Sequence, residues 1–396
     1  VTATPGRIGD ELRAFLAEHH DRLVELRRDL HAHPELGRQE FRTTERVVTV
    51  LTAAGLEPRV LPGGAGALCD IGPVPPTVGL RADLDALPIL DGKDAPYRST
   101  LDGVCHACGH DVHITCVVGA GLFLARLHDI GALPVGVRLV FQPAEEVMPG
   151  GAIDVIAAGG LDGLDRMYAV HCDPALDVGH IGLRVGPVTS ATDHIEVRLS
   201  GAGGHTARPQ LTADLVAALG DLLTSVPAIL ARRVDPRAGV NLVWGEVHAG
   251  TAANVIPRSG VAVGTLRMLD RDVWETVPPL LADIVRAVVA PYGVQAEIAH
   301  VRGVPPVVND MAAVDALTRA ARAYVGPDSV TGTEQSLGGE DYGWYLEKVP
   351  GALARLGVRG PGSGPVAADL HHPEFDIDEG AIDVGVALLA GAALTD

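Results

Sequence analysis

Apolar positions near the start of the chain recur at helical intervals. Leu12, Phe15, Leu16, Leu23, Leu26 and Leu30 share one face of a helix expected over 11–29. Pro34 stops that helix, because a proline disfavours helical geometry in the residue before it. His31 and His33 lie at this end with no other ligand type close by, and they read as capping and packing residues rather than metal ligands. A second helix is expected over 43–54, closed by Gly55. The stretches 67–71 and 78–81 read as short strands. Gly63 to Gly66 lacks the preceding strand and following helix that a phosphate-binding fingerprint needs, so it reads as a turn.

The alternation continues with a small-residue helix over 114–127, a strand over 135–141, a helix over 152–158 and a strand over 167–170. Such a series predicts an α/β domain, a mostly parallel sheet covered by helices. Asp83 with Asp85, Glu145 with Glu146, and His171 all fall at strand ends, where sheets of this kind place their chemistry. Near Pro187 the pattern changes. Residues 193–200 alternate apolar and polar as a half-exposed strand does. A helix over 214–232, strands over 240–247 and 260–267, a helix over 271–289 and a strand over 295–300 follow. That order, β-α-β-β-α-β, is ferredoxin-like. After Pro305 and Pro306 the first pattern returns, with helices over 312–325, 342–348 and 379–394 and a strand over 352–356. The expected organisation is a catalytic domain from 1–187 and 303–396, interrupted by an inserted ferredoxin-like α+β lid domain over 188–302.

Composition narrows the function. A chain of 396 residues exceeds the size at which one core keeps growing, which fits two domains. A formal net charge of −19 argues against nucleic acid or an anionic membrane as partner. The apolar stretches 117–127 and 381–394 are too short to span a bilayer and contain Arg126 and Asp383. No basic flank precedes an apolar core in residues 1–10, and the five cysteines are odd in number without a secreted signature. The expected location is therefore the cytoplasm, with reduced thiols.

The chemistry gathers in two stretches. His106-Ala107-Cys108-Gly109-His110-Asp111 sets a thiol two residues from an imidazole, and Gln142-Pro143-Ala144-Glu145-Glu146 sets two adjacent carboxylates after a strand. Zinc and its neighbours take thiolate, imidazole and carboxylate ligands. Cys108, His110, Glu146, His171 and His371 are too many donors for one catalytic ion with an open position, but they suit two ions sharing a bridging ligand. Successive side chains on an extended chain diverge, so one of the two glutamates should stay off the ion and serve as a base.

Seven blocks, in order, carry a family resemblance. They are Arg81 to Pro88, His106 to Asp111, Gln142 to Glu146, Gly203-Gly204-His205, Asn254-Val255-Ile256-Pro257, Gly338 to Asp341, and His371-His372-Pro373. Together they resemble the bacterial and plant amidohydrolases of the aminoacylase and carboxypeptidase clan. That group includes hippurate hydrolases, N-acyl-amino-acid amidohydrolases and indole-acetyl-amino-acid hydrolases. The resemblance implies a metal-activated water attacking the amide of an N-acyl-amino acid, over two divalent ions. Zinc or manganese leads, and cobalt and nickel are compatible. It makes Cys108 the shared thiolate, with Glu146 and His371 on one ion and His110 and His171 on the other. Glu145 becomes the general base and then the acid, and Asp83 a carboxylate fixing a ligand imidazole. In the inserted domain His205 would donate to the oxyanion, while Asn254 and Arg267 would grip the substrate carboxylate, and the domain would mediate a homodimer. Gly338, Gly339 and Asp341 would shape the cleft rim. Two stretches depart from the pattern: Arg208 and Gln210 after His205, and the loop over 90–103. The rivals are a dipeptidase or carboxypeptidase on the same scaffold, and a non-catalytic binding protein.

Overall fold

The computed structural model describes residues 5–361 and 368–395. Its chain contacts divide it into two units: Val1–Gly186 with Val308–Glu334 and Asp341–Asp396, and Pro187–Val307 with Gln335–Glu340. The short return Gln335–Glu340 thus belongs with the inserted unit.

The first unit is built on an eight-stranded sheet. Four central strands, Val137–Gln142, Val78–Asp83, Arg166–Asp177 and Gly351–Arg359, run parallel. Antiparallel pairings lie at the flanks, where Arg59–Val60 meets Ala67–Ile71, Ala67–Ile71 meets Val137–Gln142 and Ile181–Leu183 meets Gly351–Arg359. Val78–Asp83 and Val137–Gln142 are buried along their whole length, as central strands of a covered sheet are, and their polar residues Arg81, Asp83, Arg138 and Gln142 are buried with the apolar ones. Pro5–Ala32, His110–Asp129, Met311–Ala320 and Gly380–Ala393 contribute helical faces to the same core as those strands.

Two boundaries matter for the chemistry. The helix expected from 114 begins at His110, capped by Gly109 at φ 86°, so His110 and His113 occupy its first turn. Arg166–Asp177 runs well past the expected end, so His171 sits within a strand rather than at its tip. The cause is its neighbour: beyond Ala169 it no longer pairs with Val78–Asp83, but Gly351–Arg359 continues alongside.

In the second unit Asn241–Ala249, Ser259–Met268, Ala191–Ser200 and Gln295–Val304 form an antiparallel sheet in that spatial order. Chain order and spatial order together give the ferredoxin-like topology. The helices Leu215–Arg233 and Arg271–Val289 pack on each other and on this sheet. Leu215–Arg233 is long and apolar enough by composition to cross a membrane. Here its buried positions, Leu215, Leu219, Leu222 and Val226 among them, point into the unit's own core.

Candidate metal centre

Strand ends, one helix start and one loop bring the first unit's donors together. Cys108, His110 and His171 offer three ligand atoms lying within 4.8 Å of one another, and Cys108, Glu146 and His371 offer a second such set. The two sets share the Cys108 sulfur. Cys108, His110 and His171 are buried, Glu146 is partly buried, and His371 is the most exposed.

Backbone carbonyls fix the two buried imidazoles. His110 Nδ1 lies 2.8 Å from the Asp85 carbonyl, and His171 Nδ1 lies 2.8 Å from the Cys172 carbonyl. A carbonyl only accepts, so each Nδ1 carries the proton and each Nε2 presents its lone pair. His171 Nε2 points at Cys108 Sγ at 3.6 Å. His110 Nε2 is buried without a hydrogen-bond partner among the described residues, and Glu146 Oε1 lies 3.3 Å from His371 Nε2. A polar atom left without a partner in a buried cluster calls for an unseen one. A thiol, imidazoles and a carboxylate converging with lone pairs inward are the donors that divalent transition ions take. The residues present therefore fit the two ions that the sequence implied.

The electrostatics agree. Burial disfavours the His110 cation, yet the negative charge of Asp83 and Cys108 outweighs it and raises the pKa well above its ordinary value. Hydrogen bonding to Cys108 and Glu146 pushes His371 up to about 10. Burial, with the positive charge of Arg355 beside it, holds His171 well below its ordinary value. Burial pushes the Cys108 thiol up. Around His110 and His371 the cluster is short of positive charge.

The two glutamates depart from the expected divergence. The strand ends at Gln142, and Ala144 adopts φ 55°, so Glu145 and Glu146 lie on a turn rather than on extended chain. Both carboxylates face His110 Nε2, at 4.0 and 3.9 Å. Asp83 also needs correction. Its Oδ1 lies 2.7 Å from His113 Nδ1 and its Oδ2 accepts from Arg81 at 2.8 Å, while His110 Nε2 stands 3.7 Å off. The imidazole it orients is therefore His113, whose Nε2 accepts the Cys172 N–H at 2.9 Å. It is the Asp85 carbonyl that orients His110. Asp341, expected at a cleft rim, is fully buried and accepts from Arg81, from Gln142 and from the Ala152 N–H. His31 is buried between Asp111 and Asp91 as a packing residue, and the exposed His33 bonds the Asp29 carbonyl at the helix end.

Two carboxylates have roles that the sequence reading did not assign. Asp85 accepts the N–H groups of Glu145 and Glu146, each at 2.9 Å, and Glu40 accepts the N–H of Ala144 at 2.6 Å. Burial, with the charge of Asp85 adding to it, pushes the Glu40 carboxyl up to about 7. Asp85 was legible as a strand-end acid. Glu40 offered no signal beyond being an acid at a helix start.

The second unit's candidates split. His205 pairs with Val255 in a two-stranded ribbon, and the Thr206 N–H donates to the Asn254 carbonyl, so His205 and Asn254 are neighbours, both exposed. Arg267 sits near the far end of Ser259–Met268, bonding Thr192 Oγ1 and the Leu337 carbonyl.

Residues 79–395 match the sequence model of Peptidase family M20/M25/M40. The chain belongs to that family. N-acetylcysteine deacetylase of Bacillus subtilis is 35% identical to this M20 chain over 95% of it and 97% of its own length. A Rhodococcus jostii protein, named provisionally as glutamate–cysteine ligase 2-3, is 51% identical over 93% of the chain. The chain spans only 46% of that longer protein. Among solved structures, the Bacillus subtilis YXEP protein, described as a dinuclear metal-binding peptidase of the M20 family, superposes with a TM-score of 0.83. It is 34% identical, over 96% of this chain and 98% of its own.

Proposed function

We propose that this M20 chain is a two-metal amidohydrolase that cleaves N-acyl-amino acids to a carboxylic acid and an amino acid. The observation that carries the reading is the pair of donor sets meeting at the Cys108 sulfur, with Glu145 beside them. A deacetylase and a dinuclear metal-binding peptidase among the relatives support it. His110 and His171 would hold one ion, Glu146 and His371 the other, and Cys108 both. Zinc and manganese suit this mixed donor set first, with cobalt and nickel compatible. Ions held there would polarise the scissile carbonyl and acidify a water.

Glu145 would take the proton from the attacking water and return it to the departing amine nitrogen. Asp83, through His113, and the Asp85 and Cys172 carbonyls, through His110 and His171, keep the imidazoles from turning. His205 would donate to the oxyanion of the tetrahedral species. Asn254 and Arg267 would grip the free carboxylate, for which the planar guanidinium is suited.

Geometry within the second unit bears on its partner. His205 and Asn254 lie by the Ser200–Ser259 end of the sheet, and Arg267 pairs with Thr192 at the other. The eight steps from Ser259 to Arg267 cover about 26 Å at ~3.3 Å per residue. One amino-acid-sized substrate cannot touch both ends. A homodimer, with one end supplied by each copy, uses all three residues. Asn241–Ala249 is an edge strand with Val243 and Val247 exposed, a surface suited to that pairing. The cytoplasm, where such thiols stay reduced, is the proposed location.

The test is a panel of N-acetyl, N-benzoyl, long-chain acyl and indole-acetyl amino acids, with unblocked dipeptides alongside and metal content measured on the same preparation. Turnover of acylated substrates by protein carrying about two ions per chain is expected. Preference for the dipeptides would favour a peptidase, and no turnover of either by metal-loaded protein would favour a binding protein.

A further inference from the structure

Three consecutive N–H groups in the turn after Val137–Gln142 end on carboxylates rather than on backbone. Ala144 donates to Glu40, and Glu145 and Glu146 donate to the two oxygens of Asp85. The turn needs holding, because Ala144 at φ 55° occupies the left-handed region that a residue with a Cβ seldom adopts.

Glu40 reaches this turn from an unusual place. It is the N-cap of the helix Phe41–Ala53, yet its side chain caps nothing. Cap residues normally turn their side-chain oxygen onto the helix's own N–H groups. Here Glu35 takes that task, accepting from the N–H groups of Arg42 and Thr43. The Glu40 carboxylate is thereby left to reach Ala144. The intervening chain is wedged against the same turn: a Cβ on Gly37 would stand 3.2 Å from Asp85 Oδ2 and 3.3 Å from Ala144 Cα. The Glu35 carbonyl also accepts the Ala86 N–H at 2.8 Å.

The arrangement is costly for a fold that merely starts a helix. Two acids that repel each other are both buried, and Glu40 Oε2 has no hydrogen-bond partner among the described residues. What the pair achieves is control of direction. With all three N–H groups bound, the turn has no freedom to rotate Glu145 and Glu146 away from His110.

We propose that Glu40 is a positioning residue that acts through the Ala144 N–H, alongside Asp85, to fix the turn presenting Glu145 and Glu146. The inference rests on the reading of those two as proton carrier and ion ligand.

The test compares Glu40→Ala and Glu40→Gln with the wild type. The readouts are zinc affinity of the metal-stripped protein, by competition with a chromophoric chelator, together with kcat, KM and Tm. Glutamine keeps an oxygen for the Ala144 N–H, and alanine does not. Glu40→Ala should bind zinc about 10–100-fold more weakly and lose kcat on a similar scale, with KM little changed. Glu40→Gln should restore most of both. If the alanine variant does not fold, Glu40→Met, which fills the volume without an acceptor, replaces it. Wild-type zinc affinity and kcat in the variant without the acceptor overturns the proposal. So does an equal loss in the glutamine variant, which would mark a purely structural acid. Glu146→Gln separates this failure from that of the functional reading. If it still loses zinc, the reading stands without the Glu40 clamp; if it binds zinc as the wild type does, the reading falls and takes the proposal with it.

Discussion

The two units hold their chemistry in opposite ways. In the first, the imidazoles of His110, His113 and His171 are each fixed by a carboxylate or a backbone carbonyl behind them. In the second, His205 and Asn254 lie exposed on a two-stranded ribbon, and among the described residues the His205 ring bonds only the N–H of Ala207, two residues on. A pre-organised cluster loses function by losing its ions, because each donor was placed in advance to bind them. An exposed group contributes only when substrate or a partner meets it, so its loss should appear in turnover and leave the metal content untouched.

Cys108→Ala tests the first half of that contrast most severely. It removes the one sulfur common to both donor sets, so elemental analysis should show both ions depleted and turnover should collapse with them. Full occupancy would reduce the thiol to a packed core residue. Glu145→Gln should act on chemistry alone within the same unit. Turnover falls by about 10²–10⁴-fold, the usual worth of a general base, while metal content holds. If activity survives, the proton must travel by another group.

His205→Ala probes the exposed side. An oxyanion donor acts most in the transition state, so kcat should drop by about 10²–10³-fold with KM and metal content near wild type. A change confined to KM would make His205 a ground-state contact. Mixing this variant with Glu145→Gln sharpens the point. Mixed dimers should regain part of the lost turnover if His205 serves the partner's centre, and none if it serves its own.

How far the sequence carried follows the same divide. The alternation of strands and helices pointed to the parallel core sheet, and the order β-α-β-β-α-β, opened by the half-exposed strand over 193–200, to the ferredoxin-like insertion. Composition and spacing singled out Cys108, His110, Glu146, His171 and His371 as donors, and the model gathers them into two sets through Cys108. Register effects were not legible. That His171 lies within its strand depends on Gly351–Arg359 running alongside, nearly two hundred residues later in the chain. Nor was the direction of Glu145 and Glu146, since extended-chain geometry predicts divergence and the left-handed Ala144 cancels it. Asp341 looked like a loop residue by a glycine pair, and only the fold brings Arg81 and Gln142 to it. Long-range hydrogen bonds have no local signature, so Glu40 stayed invisible.

The smallest effect comes from that same acid and concerns stability. In the folded chain the Glu40 carboxyl is pushed up to about 7 from an ordinary 4.5, chiefly by burial and then by the charge of Asp85. Between those two values the folded protein holds a proton that the unfolded chain has released. Stability from this group is therefore fully present below the ordinary value and is lost as pH rises through about 7. Glu40→Gln cannot titrate and should lack that slope. With both proteins stripped of metal, so that loss of ions at low pH does not intrude, the wild type should gain Tm relative to the variant on moving from alkaline to mildly acidic buffer. Parallel curves would mean that Glu40 stays ionised throughout. Its bond to the Ala144 N–H would then be charge-assisted at every working pH, and Glu40→Gln, with a neutral oxygen in its place, would be the weaker substitute when the clamp on Glu145 and Glu146 is tested.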